Sequence, residues 1–269
     1  MELIGIEMAK KYARGMTLAA KQRKYLVIGD VHGCYDELVA LFGKYRENRH
    51  VVFVGDLVDK GPWPARCMEL AALMRQCTVV KGNHEENHLR YYYHELNRAS
   101  TGKENPMKRG VEFKEVHGAL AHSSLNLFAF MESMPDFVRL EKAGPWNAID
   151  RCHRDVVVLH GGLLPGRAPE DMDAKKISRV RNIKDGFKFA TLSDVKKNPD
   201  LPFWTDFYVG EDLIIYGHVT SKTPKVDLLT VGLDTGCVHG NRLTGMLLPE
   251  MELVSVPARK TYQHHEDFA

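Results

Sequence analysis

The fold is decided by the stretch Tyr25-Leu26-Val27-Ile28-Gly29-Asp30-Val31-His32-Gly33, where an apolar run ends in a glycine-flanked Asp-Val-His turn. The run Tyr25–Ile28 predicts a buried strand, and Tyr35–Tyr45 has apolar residues at helical spacing. The order repeats with strands predicted at Val51–Val54 and Thr78–Val80. This β-α-β-α-β alternation predicts a mainly parallel sheet with helices on both faces.

Further polar segments follow apolar runs along the chain: Gly55-Asp56-Leu57-Val58-Asp59, Gly82-Asn83-His84-Glu85, His160-Gly161-Gly162 and Gly217-His218. The last two follow strands predicted at Asp155–Leu159 and Asp212–Tyr216. Ligands of α/β sheets bind beyond the carboxyl ends of the strands. We therefore expect all of these segments to converge at one edge.

The side chains in these segments predict a pair of metal ions. Asp30 and His32 can hold one cation, and the Asp56 carboxylate can bridge it to a second. The donors are oxygen and nitrogen without thiolate, which suits Mn, Fe, Zn or Co and does not select among them. Each motif alone is more often a turn, a helix cap or a buried structural histidine, but the ordered set favours a metal site. The expected ligands are Asp30, His32, Asp56, Asn83, His160 and His218.

A pair of divalent cations can clamp a phosphoryl group and generate hydroxide at neutral pH. His84 lies beside Asn83 and is the candidate general acid, with Asp59 to orient it and favour its charged form. Lys60 is a candidate to hold a phosphate oxygen. The remaining histidines match no ligand spacing and are interpreted as structural or surface residues: His50, His88, His94, His117, His122 and His153.

Composition describes an ordinary globular protein. The chain has 269 residues, a net charge of +2 and 44% hydrophobic residues, so no global charge demands a nucleic acid or a membrane. The odd set of five cysteines predicts reduced thiols and a cytoplasmic location. The basic residues before Tyr25 admit a mitochondrial presequence, although Glu2 and Glu7 argue against one.

The expected organisation is a basic N-terminal extension (1–24), one domain (25–257) and a polar tail (258–269) whose His264-His265 pair is a disordered end. Within the domain we expect a loop at Ala99–Gly110, a helix over Val111–Met134 and an irregular basic segment at Leu163–Trp204. Closing strands are expected at residues 228–233 and within 243–256.

Together the motifs resemble the calcineurin-type metallophosphoesterases, and among them the phosphoprotein-phosphatase group. The resemblance spans Tyr25 to about Pro257. Cys34-Tyr35 and Leu233-Asp234-Thr235-Gly236-Cys237 are similar to the ApaH-like phosphatases and bacterial symmetrical diadenosine tetraphosphatases. The resemblance implies two mixed β-sheets packed together and flanked by helices, with a helical and loop insertion capping the site. It implies the same six ligands, with His84 as the acid supported by Asp59.

The chain departs from that pattern where phosphate is held. Serine/threonine phosphatases have Arg at the position of Lys60 and before Gly217-His218, where this chain has Tyr216. Lysine keeps the charge but loses the two-pronged grip of arginine. Arg179 and Arg181 are candidate replacements, and Arg181 is preferred because a similar Arg follows His-Gly-Gly in ApaH-like chains. The alternative is that both are solvated loop residues.

The expected function is hydrolysis of a phosphate ester or anhydride, with symmetrical cleavage of diadenosine tetraphosphate first. The alternatives are a serine/threonine phosphoprotein phosphatase, a polyphosphatase, an mRNA-cap hydrolase and, last, an inactive binding module. The expected partner is a small phosphorylated molecule, with nucleic acid only as a capped RNA, no membrane, and a monomer or weak oligomer. The basic residues 175–188 either steer a polyanion or are a solvated face, and Tyr91-Tyr92-Tyr93 and Trp204 either stack on a base or pack.

Overall fold

The computed structural model describes residues 15–18, 24–141 and 155–265. The strands are β1 (Gly15–Leu18), β2 (Lys24–Ile28), β3 (Arg49–Phe53), β4 (Cys77–Val79), β5 (Phe137–Leu140), β6 (Val156–Leu159), β7 (Ile183–Lys184), β8 (Lys188–Phe189), β9 (Leu213–Tyr216), β10 (Lys225–Val226), β11 (Thr230–Gly232), β12 (Arg242–Leu248) and β13 (Glu252–Pro257). The α-helices are α1 (Tyr35–Tyr45), α2 (Pro64–Leu73), α3 (Asn83–Thr101), α4 (Val111–Ala121), α5 (Leu127–Ser133), α6 (Ala174–Ile177) and α7 (Leu192–Lys197), with 3₁₀ turns at Pro169–Asp171, Trp204–Phe207 and Cys237–His239.

Two mixed sheets form the centre of the molecule. A five-stranded sheet has the order β13-β12-β2-β3-β4, in which β2, β3 and β4 are parallel and β12 and β13 antiparallel. A six-stranded sheet has the order β1-β5-β6-β9-β11-β10, in which β6, β9 and β11 are parallel. The predicted pair of mixed sheets flanked by helices is confirmed, and the parallel strands form only part of each sheet.

Alternation along the strands divides the apolar residues among three layers. On β2, Tyr25 and Val27 pack between the two sheets, whereas Leu26 and Ile28 face the helices α1 to α5. On the six-stranded sheet, the outer face packs against the segment 163–208, whose Trp204 is buried. Because strands covered on both faces read as continuous apolar runs, these segments were recognisable in the sequence.

Both ends of the described chain join the domain. Gly15–Leu18, inside the predicted N-terminal extension, pairs in parallel with β5 as an edge strand. In the predicted tail, Tyr262 donates from its backbone N to the Val238 carbonyl at 3.0 Å and from its hydroxyl to Glu37 at 2.9 Å. The His265 ring packs on the His239 ring, so the tail is ordered at His265 and the prediction of a disordered end is wrong there. The basic N-terminal residues that were weighed as a presequence lie largely outside the described residues.

The bounds of two predicted segments were wrong. The loop predicted from Ala99 begins later, because α3 runs from Asn83 to Thr101 and Gly102 ends it with a left-handed φ of 71°. Glu85 caps the start of α3, accepting from the Gly82 backbone N at 2.9 Å. The predicted helix over Val111–Met134 is divided into α4 and α5. The Asn126 side chain accepts from the Ala129 N at 3.1 Å and starts a new helix there.

In the described ranges, no helix combines the length and apolarity needed to cross a membrane. The cysteines described there, Cys34, Cys67, Cys77 and Cys237, are free thiols.

Arg49 links three strands at the edge remote from the polar turns. Its guanidinium donates to the Leu248 carbonyl at 3.2 Å and to both carboxylate oxygens of Glu250 at 2.8 and 2.9 Å. It therefore joins the start of β3 to the β12–β13 turn across β2. The bond to Arg49 lowers the pKa of the Glu250 carboxyl from 4.5 to about 2.

We predict that Glu250→Gln lowers the free energy of unfolding by about 1 kcal/mol at pH 7, because it removes the charge from a two-pronged pair. The folded-state pKa is depressed, so this stabilisation is present above pH 4.5 and is lost as the pH falls toward 2. Urea unfolding of wild type and variant between pH 7 and 3 measures the difference. Glu252→Gln, at an exposed position on β13, is the matched control. A Glu250→Gln difference that stays constant down to pH 3 would contradict this account.

Candidate functional site

The five polar turns meet at one edge of both sheets. The turns after β2 and β3 are joined where the backbone N atoms of Val31 and His32 donate to the Asp56 carbonyl at 3.2 and 2.8 Å. In the other sheet, the Gly217 N donates to the His160 carbonyl at 2.9 Å. The parallel strands thus deliver their carboxyl ends to one place, as expected from the chain order.

Several residues of these turns have a left-handed backbone. The φ angles are 43° at His32, 52° at Asp56, 68° at Asp59, 64° at Lys60 and 66° at His218. Non-glycine residues seldom adopt this region, and they do so at sites where the surrounding structure holds them. The concentration of such residues at one edge is independent evidence for a functional site.

Two imidazoles are oriented by backbone carbonyls. Nδ1 of His32 lies 2.9 Å from the Val58 carbonyl, and Nδ1 of His160 lies 3.0 Å from the Val54 carbonyl. Since a carbonyl only accepts, each Nδ1 donates, and each Nε2 is the atom directed into the site. The two Nε2 atoms lie 3.6 and 3.3 Å from Asp56 Oδ2.

The remaining expected ligands lie beside this group. Asn83 Oδ1 is 3.0 Å from Nε2 of His160. Asp30 accepts from the His218 backbone N with both oxygens at 3.1 Å. Gly217 makes this approach possible, because a Cβ there would lie 2.0 Å from Asp30 Oδ1. The structure therefore brings together all six side chains expected from the sequence.

The donor set fits cations. Asp56 Oδ2 lies near Nε2 of His32 and of His160, and Asn83 Oδ1 lies near Nε2 of His160, so carboxylate, amide and imidazole ligand atoms of the kind that divalent cations prefer are clustered here. Ligand atoms of Asp56, His160 and His218 lie within 4.8 Å of one another, and so do those of His32, Asp56 and His84. Asp56 belongs to both groups, as expected of a bridging carboxylate.

Burial and neighbouring cations favour the neutral imidazole at His32 and His218, which is the form that binds a metal. Burial lowers the pKa of His32 and of His218 well below the ordinary value, and the cationic Lys60 and Arg181 lower them further. Against the effect of burial, the histidines around Asp56 hold the pKa of that carboxyl well below its usual range. Burial and the Asp234 and Asp56 carboxylates raise the pKa of Asp30, which again marks a site that favours positive charge.

His84 is paired with Asp59 as expected. Its Nδ1 lies 2.6 Å from Asp59 Oδ2, and its Nε2 lies 3.8 Å from Asp56 Oδ2, toward the centre of the site. Burial opposes the charged imidazole, but the Asp56 charge and the hydrogen bond to Asp59 prevail and raise the pKa of His84. A raised pKa favours the protonated imidazole, which is the form that can serve as a general acid.

The cationic side chains take distinct positions. Lys60 Nζ donates to Nε2 of His32 at 2.9 Å, and Arg181 donates from Nε to Nε2 of His218 at 2.8 Å. This bond leaves Nδ1 as the ring nitrogen of His218 that is not bonded to Arg181. Arg181 thus lies in the site and not in solvent, whereas Arg179 is paired with Glu86.

The other candidate substrate contacts are engaged in packing or in pairs. Trp204 is buried against the six-stranded sheet, and Tyr92 stacks on Phe128 with ring centroids 4.3 Å apart. In the basic segment, Lys184 pairs with Asp194 at 2.8 Å. These features agree with the packing alternative.

Glu85 is a residue whose role the sequence did not reveal. Its side chain is fully buried, and its two carboxylate oxygens accept from the backbone N atoms of Asp56, Leu57, Val58 and Gly82 at 2.9, 2.8, 3.3 and 2.9 Å. Burial and the nearby Asp56 raise the pKa of Glu85 to about 7, while the four donors favour the carboxylate. Its place two residues after Asn83, at the start of a helix, was the available signal.

Comparison with known proteins assigns the family. Residues 23–231 match the model of the calcineurin-like phosphoesterase family. The chain belongs to the calcineurin-like phosphoesterases. It is therefore a metallophosphoesterase and a hydrolase, of the class that the resemblance of its motifs implied.

Curated relatives of this phosphoesterase are named bis(5'-nucleosyl)-tetraphosphatase PrpE [asymmetrical]. The Bacillus velezensis protein is 32% identical over 88% of this chain and 94% of its own length. The Bacillus subtilis protein is 31% identical over 88% of this chain and 96% of its own. The expectation of symmetrical cleavage is not supported, because these relatives are named for the asymmetrical reaction.

Solved structures show the fold. The phosphoesterase matches one described as that of "a putative diadenosine tetraphosphatase" with a TM-score of 0.70 and 23% identity over 92% of this chain and 99% of the other. A protein serine/threonine phosphatase from Saccharomyces cerevisiae matches with a TM-score of 0.51 and 15% identity over 98% of this chain and 89% of the other.

We predict that Glu85→Gln destabilises the fold by about 2–3 kcal/mol, because an amide NH₂ would then face buried N–H donors. Chemical unfolding measures the loss, and isothermal titration with Mn²⁺ should show weaker binding because the Asp56 turn loses its anchor. Glu104→Gln, at an exposed position, is the control. Equal stability of the two variants would show that the four bonds to Glu85 are dispensable.

Proposed function

We propose that this phosphoesterase is a two-metal phosphoanhydride hydrolase that cleaves dinucleoside tetraphosphates asymmetrically, giving AMP and ATP from diadenosine tetraphosphate. The single observation that carries the two-metal part is Asp56, whose carboxylate belongs to two adjacent groups of nitrogen and oxygen donors. The substrate and the asymmetry are supported by the PrpE relatives.

The proposed ligands divide between two cations. Asp30, His32 and Asp56 would hold the first, and Asp56, Asn83, His160 and His218 the second. Together the cations would neutralise the phosphoryl charge and activate water near neutral pH. The donors admit Mn, Fe, Zn or Co.

The residues around the cations would move protons and hold phosphate. His84 Nε2 faces the centre of the site and would protonate the leaving phosphate oxygen, while Asp59 keeps the ring in place through the 2.6 Å bond to Nδ1. Lys60 now shares the His32 Nε2 lone pair, so once that lone pair binds a metal, its ammonium is free to hold a phosphate oxygen. Arg181, fixed beside His218, is the proposed second phosphate contact.

The proposal extends to the surroundings of the enzyme. The free cysteines support a reducing compartment, which we take to be the cytoplasm. A small dissolved dinucleotide needs no second subunit, and we propose a monomer or weak oligomer.

Product analysis tests the reaction. With Mn²⁺ and diadenosine tetraphosphate, we expect AMP and ATP in equal amounts by anion-exchange chromatography, because an asymmetrical cut separates one phosphate from three. The substrates compared in parallel are inorganic polyphosphate, capped RNA and a phosphopeptide. Production of ADP alone would overturn the asymmetry, and faster turnover of the phosphopeptide would identify a protein phosphatase instead.

Replacement of the acid tests the mechanism. We predict that His84→Asn lowers kcat by roughly 10²-fold or more, since it removes the proton donor and leaves the ligands in place. Steady-state kinetics provide kcat and KM, and elemental analysis should find the same metal content in variant and wild type. A variant that turns over at the wild-type rate would exclude His84 from the reaction.

Metal removal tests the cofactor. Dialysis against a chelator should abolish turnover, and Mn²⁺ titration should restore it with about two ions bound per chain, because Asp56 is shared between two donor groups. Asp56→Asn should bind fewer ions, with calorimetry as the measurement. Full activity after complete metal removal would refute the proposal.

A further inference from the structure

Asp59 has a second imidazole partner besides His84. Its Oδ2 faces Nδ1 of His84 at 2.6 Å, and its Oδ1 faces Nε2 of His88 at 2.8 Å. A carboxylate oxygen accepts, so His88 donates from Nε2. Asp59 is therefore fixed through both oxygens, one on each side.

The surroundings of His88 hold its ring in the orientation in which Nε2 donates to Asp59. It is one helical turn beyond His84 on α3 and is fully buried. Its ring lies flat against Phe113, with centroids 4.1 Å apart and an interplanar angle of 3°. For packing alone, burying a polar ring is less favourable than burying an apolar ring of the same shape. The hydrogen bonds of the His88 ring therefore indicate a role beyond packing.

The series continues to a second helix. Nδ1 of His88 lies 3.3 Å from Nδ1 of His117, which is half-buried on α4. Since Nε2 of His88 donates to Asp59, Nδ1 of His88 is the atom left to meet His117. Burial and the proximity of His88 lower the pKa of His117 to about 4, which leaves His117 neutral near pH 7.

The contacts thus form a series from His117 through His88 to Asp59. On the other side of Asp59, His84 must present Nδ1–H to the carboxylate, which directs its Nε2 to the reacting phosphate. Outer partners of this kind fix the tautomer and the orientation of a functional histidine.

Resting on the function proposed above, we propose that His88 is a positioning residue for the reaction, holding Asp59 and through it the ring of His84, with His117 as its own anchor. The alternative of a purely structural histidine predicts that His88 could be replaced by another flat ring without a specific effect on kcat.

His88→Phe is the direct test, because phenylalanine keeps the stack on Phe113 and removes both nitrogens. On the substrate that the wild-type enzyme cleaves fastest, we expect kcat to fall on the order of tenfold with KM within about twofold. His88→Gln, which retains an N–H donor, should recover most of kcat. His94→Phe, on the same helix but outside the series, should leave kcat unchanged.

A double-mutant cycle separates positioning from stability. In a His84→Asn background, His88→Phe should cause no further loss of kcat, because the group it positions is absent. An equal loss in both backgrounds, or wild-type kcat in His88→Phe, would overturn the proposal. If the wild-type enzyme hydrolyses no phosphate ester or anhydride, the proposed function fails instead.

A measurement on the zinc-loaded wild type does not depend on how the variants fold. Long-range ¹H–¹⁵N spectra at neutral pH should show a proton on Nε2 of His88. An unprotonated Nε2 there would refute the proposal.

Discussion

The candidate site depends on one buried carboxylate. Glu85 accepts from backbone N atoms in the turn after β3 and in the turn before α3, and no water is needed to satisfy them. It thereby fixes the spacing between Asp56, on one turn, and Asn83 and His84, on the other. Four N–H groups with no acceptor would each carry a desolvation penalty of about 1–3 kcal/mol. The proposed bridging ligand and acid are therefore positioned by a residue whose carboxylate is bonded to backbone N–H groups.

The backbone of these turns is strained, and the packing around them must compensate for that strain. His32, Asp56, Asp59, Lys60 and His218 adopt left-handed backbone conformations, and close contacts require glycine beside them. Gly82 is an example, because a Cβ there would lie 2.1 Å from Asp56 Oδ1. Such geometry is stable only where the surrounding structure compensates for it. Here the buried hydrogen bonds and the two packed sheets compensate, so the strain and the chemistry occur at the same edge.

The sequence predicted the strands near the site and the meeting of the six side chains proposed as ligands, because strand ends and glycine turns carry local signals. It could not show Glu85 accepting four backbone donors or His88 reaching Asp59, since both depend on how separate turns approach one another. The sequence predicted one helix in place of α4 and α5, because the apolar pattern continues past Asn126, where the second helix begins. It did not anticipate β1, because Gly15–Leu18 gains its partner from a strand more than a hundred residues away. The positions of the polar turns were therefore predictable, while contacts between distant segments were not.

Both sheets contribute polar turns to the edge that forms the candidate site, so a complete set of donors requires both sheets to have folded. Asp30, His32, Asp56 and Asn83 come from turns of the five-stranded sheet, whereas His160 and His218 come from the six-stranded one. A nascent polypeptide released before the second sheet has formed would offer an incomplete set of donors. Metal binding would then be the last step of folding. Because the ions would bind only when the two sheets are packed together, they would stabilise that arrangement relative to partly folded ones. Only molecules in which the two sheets are packed together would then be able to hydrolyse a substrate.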